Sequence, residues 1–161
     1  MSGAEAPGAP VEDFVRESLL GMYETNRNWL GSFEPVSIEA GFLRSAVTDP
    51  KKAGNYFGNA FGGFLMSLVD VAGCAVPWTL GKYVVTQTAD VHFLKGVMVG
   101  ERIYVEGRNV RTGRTSSVAE VRITGEDDDD LRLCATVSLH IVRDILPEDA
   151  GQKPILPTVR K

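Results

Sequence analysis

In residues 11–29, Phe14, Val15, Ser18, Leu19, Met22 and Tyr23 recur at intervals of three and four, the spacing that lines up one face of an amphipathic helix. The pattern predicts an outer helix. The period then changes: in residues 32–48, Phe33, Val36, Ile38, Phe42 and Ala46 flank Glu39-Ala40-Gly41, which predicts two strands joined by a turn. A loop rich in glycine and asparagine, residues 51–60, leads into an apolar run from Phe61 to Val76 that reads as a helix. It should stop near Pro77 to Gly81, because proline removes a backbone donor and glycine ends helices readily.

Beyond Lys82 the text is almost continuous strand. Residues 84–94, 102–111, 115–124 and 131–143 are rich in Val, Ile, Thr and aromatic side chains. Turn signals separate them at Lys95 to Gly100, at Thr112-Gly113-Arg114, and at Gly125 to Asp130. Connections this short cannot hold crossover helices, so these strands are predicted to be mostly antiparallel hairpin neighbours. A single helix that is apolar nearly all round must be covered on most sides, and an antiparallel sheet wrapped about it does this. The fold class is therefore α+β. One sheet leaves part of the helix bare, which predicts a partner subunit.

Length and composition narrow this picture. With 161 residues, 43% of them hydrophobic, one substantial core is expected. Residues 1–10 read as a disordered leader, 11–143 as a single domain, and 144–161 as an extended tail. The leader has no basic segment followed by an apolar run, so it is not a secretory signal. A net charge of -4 argues against a nucleic-acid partner, although not against a local basic patch for an anionic ligand. No uninterrupted apolar stretch is long enough for a membrane span. Cys74 and Cys134 stand among apolar neighbours with no pairing or metal-ligand spacing, which fits two reduced, packed thiols in a cytoplasmic protein.

Between Lys52 and Lys82 the only fully charged side chain is Asp70, inside the apolar helix. A carboxylate there should be desolvated, which raises its pKa and costs several kcal/mol unless compensated. Asp70 is thus the first candidate for chemistry, with a buried structural aspartate or one exposed on a bare helix face as the plainer readings.

Asn55 to Gly63, then Asp70, then Val84-Val85-Thr86 opening a strand to Phe93-Leu94, then Gly100-Glu101 and Gly113-Arg114-Thr115 resemble the hotdog-fold acyl-CoA thioesterases of the phenylacetate-pathway type. The resemblance covers roughly residues 29–142, and the spacing from Asn55 through Gly62 to Asp70 is its specific part. It implies hydrolysis of an acyl-CoA thioester, with Asp70 as nucleophile or general base. It also implies that the Gly62 backbone N–H polarises the thioester carbonyl, that Asn55 helps orient carbonyl or water, and that Thr86 holds the attacking group. In such enzymes the site straddles a homodimer, alone or within a homotetramer, with Asp70 facing the Gly62 loop of the other subunit. No metal and no cofactor are implied, coenzyme A being part of the substrate. The family usually reads His-Gly-Gly at the helix start, and here Phe61 stands in place of the histidine.

The chemistry stands without the family name. Thioester hydrolysis develops negative charge on the carbonyl oxygen, which exposed N–H groups at a helix start are placed to stabilise. Alternatively Gly62-Gly63 only begins a closely packed helix, Asn55 only shapes a loop, and Thr86 is an ordinary strand threonine. Phe57, Phe61, Gly63 and Met66, with Trp78 and Phe93, are candidates for an acyl pocket whose default role is core packing. Arg108, Arg111 and Arg114 surround the turn at Gly113; they either grip the phosphates of CoA or form a solvated hairpin tip. Asp90 and His92 share a strand face and read as an outward polar pair rather than an acid–base pair; His140 reads likewise. Residues 126–130 lack calcium-loop spacing and read as a solvated acidic turn. Two other readings remain: a non-catalytic acyl-CoA-binding or assembly subunit of the same fold, and a hydratase or dehydratase using His92.

Overall fold

The computed structural model describes residues 9–48 and 53–151. Residues 1–8 of the expected leader and 152–161 of the expected tail lie outside them. Helix α1 spans Asp13–Leu30 and ends at Gly31, whose positive φ of 72° turns the chain into β1, Ser32–Glu39. Gly41, at φ 75°, makes the turn into β2, Phe42–Thr48, because that region of backbone space favours glycine. Helix α2 covers Gly62–Trp78, followed by β3, Lys82–Phe93; β4, Arg102–Thr112; β5, Ser116–Thr124; and β6, Leu131–Asp144.

All six strands form one antiparallel sheet in the order β1-β2-β4-β5-β6-β3. Strands β4, β5 and β6 are hairpin neighbours, as the short turns required. Strand β3 is not. It crosses to the far side of the sheet, pairs with β6 alone and forms an edge, which corrects the expectation for that segment.

Helix α2 lies across the concave face of this sheet. Leu68, Ala72, Ala75 and Val76 are fully buried opposite Ile103, Val105, Val121, Val137 and Leu139, so the core is the layer between helix and sheet. Helix α1 adds Val15, Leu19 and Tyr23 to the same core, packing on α2 and β1. The segment after β6 is also tied down. Ile145 is buried and its N–H donates to Gly81 O, while Arg143 forks onto Asp149 at 2.7 and 2.8 Å in a short 3-10 turn, Pro147–Asp149. Residues 145–151 are therefore anchored, not an extended tail. Their apolar anchor is a single isoleucine, too little pattern to read in advance.

Candidate functional site

Helix α2 and strand β3 bring Asp70 and Thr86 together. The β3–β6 register shifts between Thr86 and Thr88, so one extra residue, Gln87, bulges from the strand. Before the bulge Thr86 pairs with buried Leu139 and faces the helix; after it Ala89 and Val91 take that face, opposite Val137 and Ala135. Thr86 Oγ1 donates to Asp70 Oδ1 at 2.6 Å and lies 3.2 Å from Cys74 Sγ. Cys74 follows Asp70 by four residues, one helical turn, so both side chains rise from the same face of α2. Burial pushes the Cys74 thiol up to about 11, opposed in part by the Thr86 hydroxyl.

Asp70 itself is exposed, which corrects the expectation of a carboxylate sunk in an apolar interior. Hydropathy around the residue is high on every side, but the strip of α2 carrying Met66, Ser67 and Asp70 is not covered within one subunit.

At the start of α2 the Phe64 and Leu65 amides bond to Phe61 O, as first-turn amides do when the preceding residue caps them. The Gly62 and Gly63 amides meet no acceptor among the described residues, so two N–H groups point out of the helix end beside the Asp70 strip. Phe61 is 60% exposed and folds back over Gly63, where an added Cβ would come within 2.5 Å of its ring. At Gly62 a Cβ would meet only the Phe93 ring, at an ordinary 3.7 Å. A Cβ at 63 would therefore have to push the Phe61 ring aside, whereas one at 62 would displace nothing.

The loop before α2 is built by Asn55. Its Oδ1 accepts from the Phe57 and Asn59 amides at 2.9 and 3.2 Å, which leaves only Nδ2 of that side chain for any substrate. Ala60 N–H donates to Val97 O and Phe61 N–H to Ala53 O, so the helix start is sewn to residues 53–54 and 97–98. Residues 95–101 are in turn gripped by Arg132, which is 9% exposed and donates to Gly96 O, Glu101 and Asp130. Nothing in the spacing of the sequence pointed to Arg132, since its acceptors come from two turns far apart in the chain.

A groove of about 830 Å³ runs along the exposed strip, with Leu30 and Asn26 of α1 on one wall and Phe61, Phe64, Met66 and Asp70 on the other. Gly63 also lines it. Phe57, at 81% exposed, does not, and stacks edge-on against Tyr56. Trp78 packs on Tyr83 at the opposite end of α2, and Phe93 lies against Gly62. Helix α1 is thus a wall of the groove, a role its amphipathic pattern could not assign.

The three arginines separate. Arg108 sits above the Phe42 ring at 4.6 Å and bonds to Glu106 at 2.9 Å, away from the hairpin tip. Arg111, Gly113 and Arg114 form that tip, outside the groove, and neither arginine has a salt bridge among the described residues. Asp90 and His92, 3.4 Å apart, pair with Thr136 and Cys134 on the outer face of the sheet, opposite the side of Asp70, and His140 shares that face. The acidic turn is used structurally: Asp128 bonds to Arg44, and Asp130 to Arg132 and Lys95. Among the described residues no cluster of His, Cys, Asp and Glu could hold a metal, and no helix is long and apolar enough to cross a membrane.

A model of the thioesterase superfamily matches residues 57–131. The fold is similar to that of smu.793 from Streptococcus mutans UA159, solved with acetyl CoA, at 28% identity and a TM-score of 0.68 over 71% of this chain and 92% of that one. A hypothetical thioesterase from Streptococcus pneumoniae TIGR4, solved with coenzyme A, is 23% identical with a TM-score of 0.75, over 80% of this chain and 99% of the other. That protein has also been solved with one threonine and with one aspartate replaced by alanine. Escherichia coli PaaI, from the phenylacetic acid degradation operon, is 19% identical with a TM-score of 0.76 over 84% and 99%. No curated protein matches the sequence.

Proposed function

We propose that the chain, whose residues 57–131 match the thioesterase superfamily and which has a hotdog fold, is a member of that superfamily and hydrolyses an acyl-CoA thioester with Asp70 as nucleophile or general base. The observation that carries this reading is the 2.6 Å bond from Thr86 to Asp70 Oδ1. It fixes one carboxylate oxygen and leaves Oδ2 without a partner among the described residues, on a side chain that lines the groove. Either Oδ2 attacks the thioester carbon, or it takes a proton from a water that does. In both cases charge develops on the carbonyl oxygen, and the donor proposed to meet it is the N–H at the positive end of a second copy's α2, Gly62 of the partner subunit, because Gly62 and Asp70 of one helix stand about 12 Å apart along its axis. Cleavage of the C–S bond then releases CoA, whose sulfur takes up a proton; attack by water leaves the free acid directly, whereas attack by Oδ2 leaves a mixed anhydride on Asp70 that a water hydrolyses to the free acid, restoring the carboxylate. The two positions replaced by alanine in the pneumococcal thioesterase are sixteen residues apart, the separation of Asp70 and Thr86, which supports assigning these two to the reaction.

The acyl group would lie in the groove against Phe61, Met66 and Leu30. Arg111 and Arg114, which have no salt bridge among the described residues, are the proposed partners of the CoA phosphates, because guanidinium forks match phosphate oxygens. Asn55 would contribute through Nδ2. A second copy of the chain completes this reading. Strand β3 is a long edge, largely exposed from Val85 to Phe93 on both faces, and pairing it with its twofold mate would extend the sheet and withdraw the Asp70 strip from water.

Turnover of a panel of acyl-CoAs, with release of free CoA as the readout, tests the proposal. Asp70→Asn should lower kcat about 10²- to 10⁴-fold, the usual contribution of an acid–base group. A parent protein that binds acyl-CoA without turning it over would instead identify a binding subunit, with Phe61 filling the place of a polar group.

A further inference from the structure

We propose that Cys74 is a positioning residue for Asp70: its S–H donates to Thr86 Oγ1 and so commits the single Thr86 hydroxyl proton to Asp70 Oδ1. The inference rests on the proposed role of Asp70 and follows from counting protons. Thr86 Oγ1 has two neighbours, Cys74 Sγ at 3.2 Å and Asp70 Oδ1 at 2.6 Å, and one proton to give. Were that proton turned toward sulfur, two oxygen lone pairs would face each other at 2.6 Å with nothing between them. It must therefore lie on the carboxylate. The contact to sulfur is then a hydrogen bond only if sulfur supplies the proton, and a thiol raised to about 11 is protonated at neutral pH.

The order S–H···O–H···O⁻ has a consequence for geometry. Free of Cys74, the Thr86 hydroxyl could rotate and donate its proton to water, releasing Oδ1 and with it the orientation of Oδ2. The thiol blocks that rotation, filling the side of Thr86 away from Asp70 with a donor of the right length. Cys74 never touches the substrate in this arrangement; it acts through Thr86.

The test uses the full chain in a Cys134→Ala background, where Cys74 is the only thiol left of the two cysteines. In the infrared, the S–H stretch of Cys74 should sit at the lowered frequency of a hydrogen-bond donor and rise when Thr86 is changed to Ala. Kinetically, Cys74→Ala should lower kcat about three- to tenfold with KM unchanged, the scale of one neutral hydrogen bond. Cys74→Ser, which keeps a donor, should recover most of it. An S–H stretch that ignores Thr86→Ala overturns the proposal even if Cys74→Ala fails to fold. Parent-like kcat in Cys74→Ala, measured beside an inactive Asp70→Asn, overturns it and leaves the role of Asp70 standing. Full activity in Asp70→Asn overturns both.

Discussion

A Cβ placed on Gly73 would fall 2.9 Å from Val137 Cγ2, with Val137 Cβ and Cγ1 at 3.0 and 3.1 Å. On the same helix, Val76 Cγ2 lies 2.6 Å from where a Cβ on Gly107 would stand. These two glycines let α2 settle onto the sheet. Gly73→Ala gains up to ~1 kcal/mol of helix propensity. It should nevertheless lose stability, because overpacking a closed core costs about 1–3 kcal/mol. Urea denaturation should show a lower midpoint, partly restored by Val137→Ala.

The two glycines that open α2 should behave differently from each other. Gly62→Ala adds only an ordinary 3.7 Å contact with Phe93, so its Tm should match the parent; its kcat/KM should drop at least about tenfold if a thioester approaches that amide. Gly63→Ala must displace the Phe61 ring, which is exposed enough to move. Fluorescence or NMR of a labelled phenylalanine should register the shift, and Phe61→Ala should remove the need for it.

Thr86→Ala removes a hydrogen bond to a charged group, worth about 1.5–3 kcal/mol. The corresponding loss in kcat is about ten- to hundredfold, and Thr86→Ser should retain most activity. Equal losses in the serine and alanine variants would mean that the methyl group, not the hydroxyl, matters.

Arg132 holds residues 95–101, and those residues hold the start of α2 through Val97 and Ala60. Arg132→Ala strands Glu101 and Asp130 and should cost about 3 kcal/mol, the low end for breaking a buried pair, because both carboxylates keep some water. Arg132→Lys should rescue little, since an ammonium cannot fork across three acceptors. Both variants should also lower kcat, a loss that a purely local defect at β6 would not cause.

The Arg143 fork, with the Leu146 amide, holds the Asp149 carboxyl at about 2, below its ordinary 3.8. A carboxylate lowered in the folded state adds stability that is present above about pH 4 and disappears as pH falls toward 2. The Tm gap between parent and Asp149→Asn should therefore be open at pH 6 and close between pH 4 and 2. A gap that persists at pH 2 would assign the effect to packing rather than charge.

The layout of elements was largely legible. The three- and four-residue spacing at Phe14 to Tyr23 follows from which side faces the core, and the Val, Ile and Thr content of β4, β5 and β6, cut by short turns, follows from strands buried on one face and joined as hairpins. The edge position of β3 was not, because Val84 to Phe93 reads like any other strand and only the bulge and the β6 register show where it pairs. Asp70 and Thr86 were picked as candidates, and the structure joins them. The burial expected for Asp70 failed, since average hydropathy along a helix does not say which strip a single subunit covers. Arg108 was misjudged because a hairpin tip and the outer face three residues before it look alike in sequence. Cys74 was read as packing, although its position one turn beyond Asp70 was the signal that could have exposed it.

The bulge at Gln87 divides β3 into two halves written in opposite phase. Just upstream of it Val84 and Thr86 look toward the helix; downstream, Ala89 and Val91 do. Removing Gln87 would leave every residue and every strand in place yet turn either Thr86 or the Ala89–Phe93 half over. The extra residue thus makes the two halves independent alphabets: the downstream edge can be rewritten for a new neighbour without altering what stands beside the carboxylate.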